Sequence, residues 1–508
     1  VSRRPLTTAV GAGLAVALAA APAAAGGLYY ADRGVRPLAR GGAFVAGADD
    51  MNAIVYNPAG MYDAGGEVLV DASWLHFSSD YTRVANLQQI DPNTGKTVGT
   101  YKETFPGVSG STPFLPIPTL AVSFRPHKQW VIGVGVWAPY AALATYPDTT
   151  NAPQRYSLIT LDGSLLAEIG AGVAFAPSKE WRIGAVVEVL TGVFKTQAAF
   201  SGCVPERFLC APEQPSWDVL SQVSAGPIAA PSGNFGVTWI PHPMWRAGLS
   251  FQLPTWVRSP ATLATRLPAT PVFDKASQSG DSAHIAFDLP WTLRAGVEAR
   301  LLQDALKIEL AFNYDRWSMH DAITLTPDGI ALKNVAGFPQ TYYVPPISLV
   351  RHFQDSVAVH LGGEYGFHAG GLDWDVRAGT AFETSAVPNA YESVLTIDQN
   401  KLTAALGGGI HVKSLRFDLT YAHVFGFNVN VDPAAAKISL VSPVMANPPK
   451  HPDYINGGSY AARADVIGLG MTWTFDPTPV DFAPATNAPP APPAAPPAVT
   501  PSPAAPAK

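Results

Sequence analysis

Apolar and polar residues alternate with a period of two along much of the second half of this chain, and that period limits its folds to those built from strands. From Leu306 to Tyr314 the apolar set is Leu306, Ile308, Leu310, Phe312 and Tyr314, with Lys307, Glu309 and Asn313 on the opposite side. From Leu372 to Phe382 it is Leu372, Trp374, Val376 and Phe382, opposite Asp373, Asp375, Arg377 and Glu383. Leu415 to Phe425 sets Leu415, Phe417, Leu419, Tyr421 and Phe425 against Arg416, Asp418 and Thr420, and Asp465 to Phe475 repeats the scheme with Ile467, Leu469, Met471, Trp473 and Phe475. A soluble sandwich would bury the apolar face and wet the charged one. A membrane barrel turns the same pattern inside out, and period alone does not choose between them.

Composition supplies the choice. Only 14% of the residues are charged, against about 25% in an ordinary soluble protein. Residues 1–25 carry Arg3 and Arg4, an apolar run from Leu6 to Ala21 and a small-residue end at Ala23, Ala24 and Ala25, the layout of a secretory signal, so the mature chain is expected to start near Gly26. Downstream, no run reaches the roughly 18 uninterrupted apolar residues that a spanning helix requires. A closed barrel is then the remaining way across, because every backbone polar group in lipid must be paired. A formal charge of −6 without a basic tract gives no footing for nucleic acid.

The connections alternate in length as they do in an outer-membrane barrel. A tight motif occurs three times, Phe124-Arg-Pro-His-Lys-Gln-Trp130, Phe175-Ala-Pro-Ser-Lys-Glu-Trp181 and Trp239-Ile-Pro-His-Pro-Met-Trp245, each followed three residues later by Gly133, Gly184 or Gly248. It reads as a short turn flanked by aromatics at one membrane interface. Long connections are expected around 82–116, 201–231, 257–282, 321–354 and 431–459. One of them holds Cys203 and Cys210, which in an oxidising compartment form a local disulfide stapling an external loop. No His pair shows metal-ligand spacing, and neither a metal nor another cofactor is expected.

The stretch Gly34 to Met61 has a different character, being glycine-rich, without a sustained period and too short for a domain. Gly41 and Gly42 permit close backbone approach. Asp49 and Asp50 before Ala53-Ile54-Val55 suggest a helix cap, and Asn57-Pro58 a helix stop. Arg40-Gly41-Gly42-Ala43, Ala48-Asp49-Asp50 and Asn57-Pro58-Ala59-Gly60 together resemble the N-terminal hatch of the FadL-type outer-membrane transporters, importers of long-chain fatty acids and aromatic hydrocarbons. The other reading of the stretch is a surface loop followed by a helix stop. The resemblance implies an all-β, transmembrane antiparallel β-barrel of about 14 strands, with the hatch plugging the lumen. Its expected parts are a signal peptide at 1–25, the hatch at 26–64, the barrel at 65–475 and a Pro/Ala-rich, disordered periplasmic tail at 476–508.

The resemblance also implies a path, from an outer groove to an internal pocket and out sideways at a kink in the third strand. The third strand is read here as Trp130 to Tyr140, and Pro139 within Trp137-Ala138-Pro139-Tyr140 would break its ladder. The other reading ends the strand at Ala138. Lys333 and Glu383 stand where the family carries polar pocket residues, and Arg377 faces the lumen by period; each also reads as a lumen charge in a solvated network. Where the family has an arginine before the loop of Cys203 this chain has Ala199, with Lys195 the nearest cation, which moves the expected cargo toward an uncharged hydrocarbon. No G-x-S-x-G, phosphate loop or H-E-x-x-H motif occurs, so passage rather than turnover is expected. The expected partners are a hydrophobic small molecule, the lipids of the bacterial outer membrane and the barrel-assembly machinery, which would meet the apolar last strand. The alternative is a structural or adhesive surface barrel.

Overall fold

The computed structural model describes residues 33–479 apart from residues 92, 95, 113–115, 139–143, 204–209, 211–212 and 443–452. The expected signal peptide and all but the first residues of the expected tail lie outside the described residues. The chain is a closed antiparallel barrel of 14 strands. In chain order these are β1 (Gly66–Ile90), β2 (Pro116–His127), β3 (Trp130–Trp137), β4 (Leu165–Phe175), β5 (Trp181–Ser201), β6 (Asp218–His242) and β7 (Trp245–Gln252, continued by Thr255–Arg266). They are followed by β8 (Ser282–Leu289 and Thr292–Leu301), β9 (Leu306–Asp315 and Ala322–Pro327) and β10 (Ile347–Val350 and Ser356–Ala369). The last four are β11 (Leu372–Glu383), β12 (Lys401–Val412), β13 (Leu415–Gly426) and β14 (Gly458–Asp476). Each pairs with its chain neighbour, and β14 returns to β1 from Gly66↔Asp476 to Arg83↔Gly458, which closes the barrel.

The period-two pattern does face outward. Leu310 is 56% exposed while its neighbour Glu309 is 0% exposed, and Leu469 at 52% adjoins β13, where Thr420 is fully buried. Apolar side chains on the outside and charged ones within are stable only if lipid surrounds the wall. The three tight turns lie at one end together with Gly66 and Asp476, and their aromatics form a girdle there. Trp130 stacks on Phe175 with ring centres 4.3 Å apart, and Trp181 stacks on Trp239 at 5.9 Å. This is the periplasmic end.

The long connections lie at the other end, with corrected bounds. The first strand runs to Ile90 and is joined by return strands Thr97–Thr104 and Val108–Ser111, so most of the expected loop 82–116 is sheet. Strand β6 begins at Asp218 inside the expected loop 201–231, and residues 255–266 extend β7 into the expected loop 257–282. The connections 138–164 and 384–400 were not anticipated. Long alternating runs above the membrane carry the same period as those within it, so period does not mark where lipid ends. Cys203 and Cys210 are bonded, with Cα atoms 5.7 Å apart.

Candidate functional site

The hatch consists of α1 (Val35–Ala39), the turn at Gly41 and Gly42, α2 (Ala53–Tyr56), a 3₁₀ turn at Pro58–Gly60 and α3 (Met61–Ala64). Helices of four or five residues do not persist alone. Here nearly every side chain from Val35 to Ala64 is buried, because the segment lies within the barrel. Helix α1 packs against β11 to β14, and Pro58–Gly60 packs against β4, β5 and β6 on the far side, so the hatch spans the lumen from wall to wall.

Glycines in the wall make room for it. A Cβ at Gly184 would overlap the backbone of Pro58, one at Gly248 the Val45 carbonyl, and one at Gly362 or Gly379 the backbone of Arg40. Gly41, in the left-handed region at φ +61°, lies in turn against the backbone of Gly379 and Thr380. The glycine that follows each girdle motif by three residues therefore faces the hatch: Gly184 and Gly248 seat its backbone, and Gly133 meets the end of the Met51 side chain.

Wall carboxylates satisfy hatch amides that no hatch helix can pair. Glu309 accepts from the N–H groups of Val45 (2.6 Å), Ala46 (2.8 Å) and Gly47 (3.0 Å), Glu67 accepts from Met51 (2.8 Å), and Asp71 accepts from Val35 (2.8 Å). Charges join the same surfaces. Arg40 donates to Glu298 (2.8 Å) and Glu309 (3.1 Å), all three side chains being fully buried. Arg36 pairs with Asp49, Asp50 and Glu364, Asp49 with Arg300, and Asp50 with Arg416.

Asp49 and Asp50 are thus corrected from helix caps to ion-pair partners. The residue flanking α2 is Asn52, which makes no side-chain cap, and the local bond of the Asp50 side chain is from the Asn52 N–H rather than from an α2 amide. Asn57 does end α2, taking extended geometry at φ −154°, and its side chain accepts from the Ala59 N–H while donating to the Val45 carbonyl and Thr238 Oγ1.

The three polar residues expected around a ligand are not brought together. All three nitrogens of the Arg377 guanidinium are held by carboxylates, Nε by Glu364, Nη1 by Asp418 and Nη2 by Asp375, which places it in the hatch network. Glu383 stands six residues farther along β11, about 20 Å at strand spacing, and pairs with Lys401 at 3.0 Å. Lys333 is exposed on a small separate sheet of Ser277–Ser279, Ala331–Lys333 and Thr341–Tyr343, whose Leu332 packs with the inward-facing Val223, Leu263 and Ile285 of the wall. The anchoring carboxylates Glu298, Glu309 and Glu364 were missed as site residues. Glu309 was visible as the polar member of an alternating strand, but nothing in one sequence ties it to residue 45.

The third strand ends three residues before its expected end. Its pairing with β4 stops at Trp137↔Glu168, while on the other side the Ala138 N–H still donates to the Pro118 carbonyl of β2 (3.3 Å), in register with Thr119↔Trp137. Pro139 and Tyr140 lie outside the described residues. Nearer the outer mouth the wall is continued by single bridges, Ser111↔Thr145, Thr145↔Thr160 and Thr160↔Gln197. Trp137 is buried with its indole against Gly170, joined to the apolar hatch face of Met51, Ile54 and Met61. Toward the outer mouth an apolar cluster of Leu190, Ile228, Val257, Leu289, Trp317 and Phe353 gathers residues from strands β5 to β8 and from the breaks within β9 and β10.

Residues 16–481 match the family described as outer membrane protein transport protein (OMPP1/FadL/TodX). No curated protein matches the chain. Among solved structures, a Pseudomonas aeruginosa FadL homologue is similar at 16% identity and a TM-score of 0.62, the match covering 90% of this chain and 100% of that one. The Ralstonia pickettii toluene transporter TbuX is similar at 15% identity and a TM-score of 0.52, covering 87% and 98%. The Pseudomonas putida toluene transporter TodX is similar at 13% identity and a TM-score of 0.54, covering 88% and 99%. At such identities the likeness is one of fold.

Proposed function

Since this chain belongs to the outer membrane protein transport family of OMPP1, FadL and TodX, and is a multi-pass barrel of the bacterial outer membrane, we propose that it imports hydrophobic small molecules and releases them sideways into the bilayer. The observation that carries this reading is the hatch. It fills the periplasmic half of the lumen and is tied to both walls by buried charge pairs, so a straight exit would require breaking several of them at once. A route beside the hatch avoids that cost. The β3 to β4 ladder stops at Trp137, two residues before a proline that cannot donate to a ladder, which supports an opening there.

A side exit also suits the cargo. A hydrophobe that passes directly from lumen to lipid never enters the aqueous periplasm, where each exposed CH₂ costs about 0.8 kcal/mol. The apolar cluster of Leu190, Ile228, Trp317 and Phe353 offers such a molecule contacts between mouth and hatch. Replacing Pro139 by Val restores a ladder donor. In correctly inserted protein, uptake of a long-chain or aromatic hydrophobe should fall while binding to purified protein persists. Uptake equal to that of the unaltered protein would remove Pro139 from the pathway.

A further inference from the structure

The lipid-facing side of the wall is not uniformly smooth. At the periplasmic end a groove of about 410 Å³ crosses β3 to β7, a volume within the roughly 300–1,000 Å³ of ordinary ligand pockets. Its shape follows from the register. The row Val173↔Ala185↔Phe235↔Phe251 sets a single methyl group among larger side chains. Trp130 and Phe175, stacked on each other, stand as one rim, and Phe235 and Phe251 as the other. The floor includes wall backbone at Gly184 and Gly236, and Pro58 lies against the inner side of both glycines, so the hatch backs the groove.

On a smooth stretch of wall one acyl chain packs as well as the next, because lipid tails are as apolar as the side chains they touch. A groove differs. A chain that bridges it leaves the floor atoms without contacts, and one that lies in it meets the floor and both rims. A second barrel is convex and would rest on the rims, leaving Ala185 uncovered. The groove therefore fits a single flexible chain.

The turns at the girdle specify the polar end of such a molecule. Residues 125–130 end at Trp130 and residues 176–181 follow Phe175, so both turns adjoin the stacked rim. Lys128 and Lys179 are exposed there. The one carboxylate of the two turns, Glu180, accepts from Ser178 Oγ at 2.5 Å, and Arg125 donates to the Tyr62 carbonyl of the hatch at 3.0 Å. Two ammonium groups at headgroup level beside an apolar groove match a lipid phosphate, and most strongly a lipid of net negative charge.

We propose that the groove is a binding site for one anionic phospholipid of the periplasmic leaflet, with an acyl chain lying over Ala185 between the two rims and the headgroup phosphate on Lys128 and Lys179. The site is separate from the import path and does not depend on it.

The test is native mass spectrometry of the full-length protein, freed from detergent after incubation with phosphatidylglycerol or phosphatidylethanolamine of identical chains. Ala185→Leu and the double variant Lys128→Gln with Lys179→Gln alter an outward-facing residue and two turn residues, and heat-modifiable gel mobility verifies their fold. The unaltered protein should keep one phosphatidylglycerol in preference to phosphatidylethanolamine. The lysine double variant should weaken phosphatidylglycerol about 25-fold, at about fivefold for each lysine near a charged lipid surface, and so remove the preference. Ala185→Leu, which fills the floor, should lose the one-lipid adduct with either headgroup. Phosphatidylglycerol retained equally by either variant and the unaltered protein would overturn the proposal. So would no retained lipid, or several lipids held without headgroup preference, the mark of an ordinary lipid annulus. A dimer of the unaltered protein that Ala185→Leu dissociates would assign the groove to a second copy instead.

Discussion

Trp137 donates its indole N–H to Glu168 Oε2 at 2.6 Å, and the two residues are also the last paired positions between β3 and β4. One side-chain bond thus fixes the end of the ladder beside the proposed exit. Both residues face inward, at 1% and 3% exposure.

Trp137→Phe keeps the ring and removes the donor. The variant should lose about 1–3 kcal/mol, the cost of stranding a buried acceptor, while Glu168→Gln, which keeps an acceptor, should lose less. Urea unfolding in detergent, read by heat-modifiable mobility, checks the order. Equal stability of Trp137→Phe and the unaltered protein would show that the bond does not hold the strand end.

The glycine seats predict how the plug is dislodged. Gly184→Val places a branched side chain where Pro58 lies, at a typical overpacking cost of about 1–3 kcal/mol. The barrel should still assemble, with the hatch displaced and single-channel conductance in planar bilayers raised. Removing residues 34–60 should raise it further. Conductance unchanged in both would show that the segment is not a plug.

The buried charges predict which hatch contact matters most. Arg40→Met leaves Glu298 and Glu309 buried without their shared guanidinium, and breaking a buried pair in this way costs about 3–5 kcal/mol. Proteolysis of the hatch in intact, inserted barrels should accelerate accordingly. A variant as resistant as the parent would place the anchorage elsewhere in the network.

The outer loop 384–400 should loosen as pH rises. Burial, with Glu383 adding to it and Lys401 opposing it, raises the Asp398 carboxyl to about 7, and burial beside Asp398 raises Glu392 well above its ordinary value. Carboxyls raised in the folded state bind protons there that the unfolded loop has released, so stability falls between about pH 4 and pH 7 and beyond, as Asp398 and then Glu392 ionise. Hydrogen exchange at the Ala386 amide, which donates to Asp398 Oδ2 at 2.7 Å, should be slower at pH 5 than at pH 8 after correction for intrinsic rates. Glu392→Gln, which keeps the acceptor for the Asp398 N–H, should flatten this dependence. Greater protection at pH 8 would reverse the sign.

What was legible in the sequence follows a physical division. Local period gave the strands of the second half, and the repeated turn motif gave one membrane interface, because both are set by residues a few positions apart. The hatch was legible from glycines and from Asn57-Pro58. Its anchors were not, because Arg40 and Glu309 stand 269 residues apart and meet only when the barrel closes. Gly133, Gly184 and Gly248 were seen as parts of a turn motif; their use is set by the lumen side, which the motif does not describe.

The claim that cargo leaves beside a stationary hatch is tested most directly by tethering that hatch. A Cβ at Gly470 would lie 3.2 Å from the Val35 Cβ, a few tenths of an ångström short of the usual 3.5–4.5 Å disulfide span, which is about 3.8 Å on average. Val35→Cys with Gly470→Cys should therefore form a bond between α1 and β14. Uptake of a labelled hydrophobe by cells carrying this protein should be the same before and after the bond is reduced. Uptake that is blocked in the oxidised protein and restored by reduction would mean that the hatch must move out of the lumen, and would contradict sideways release.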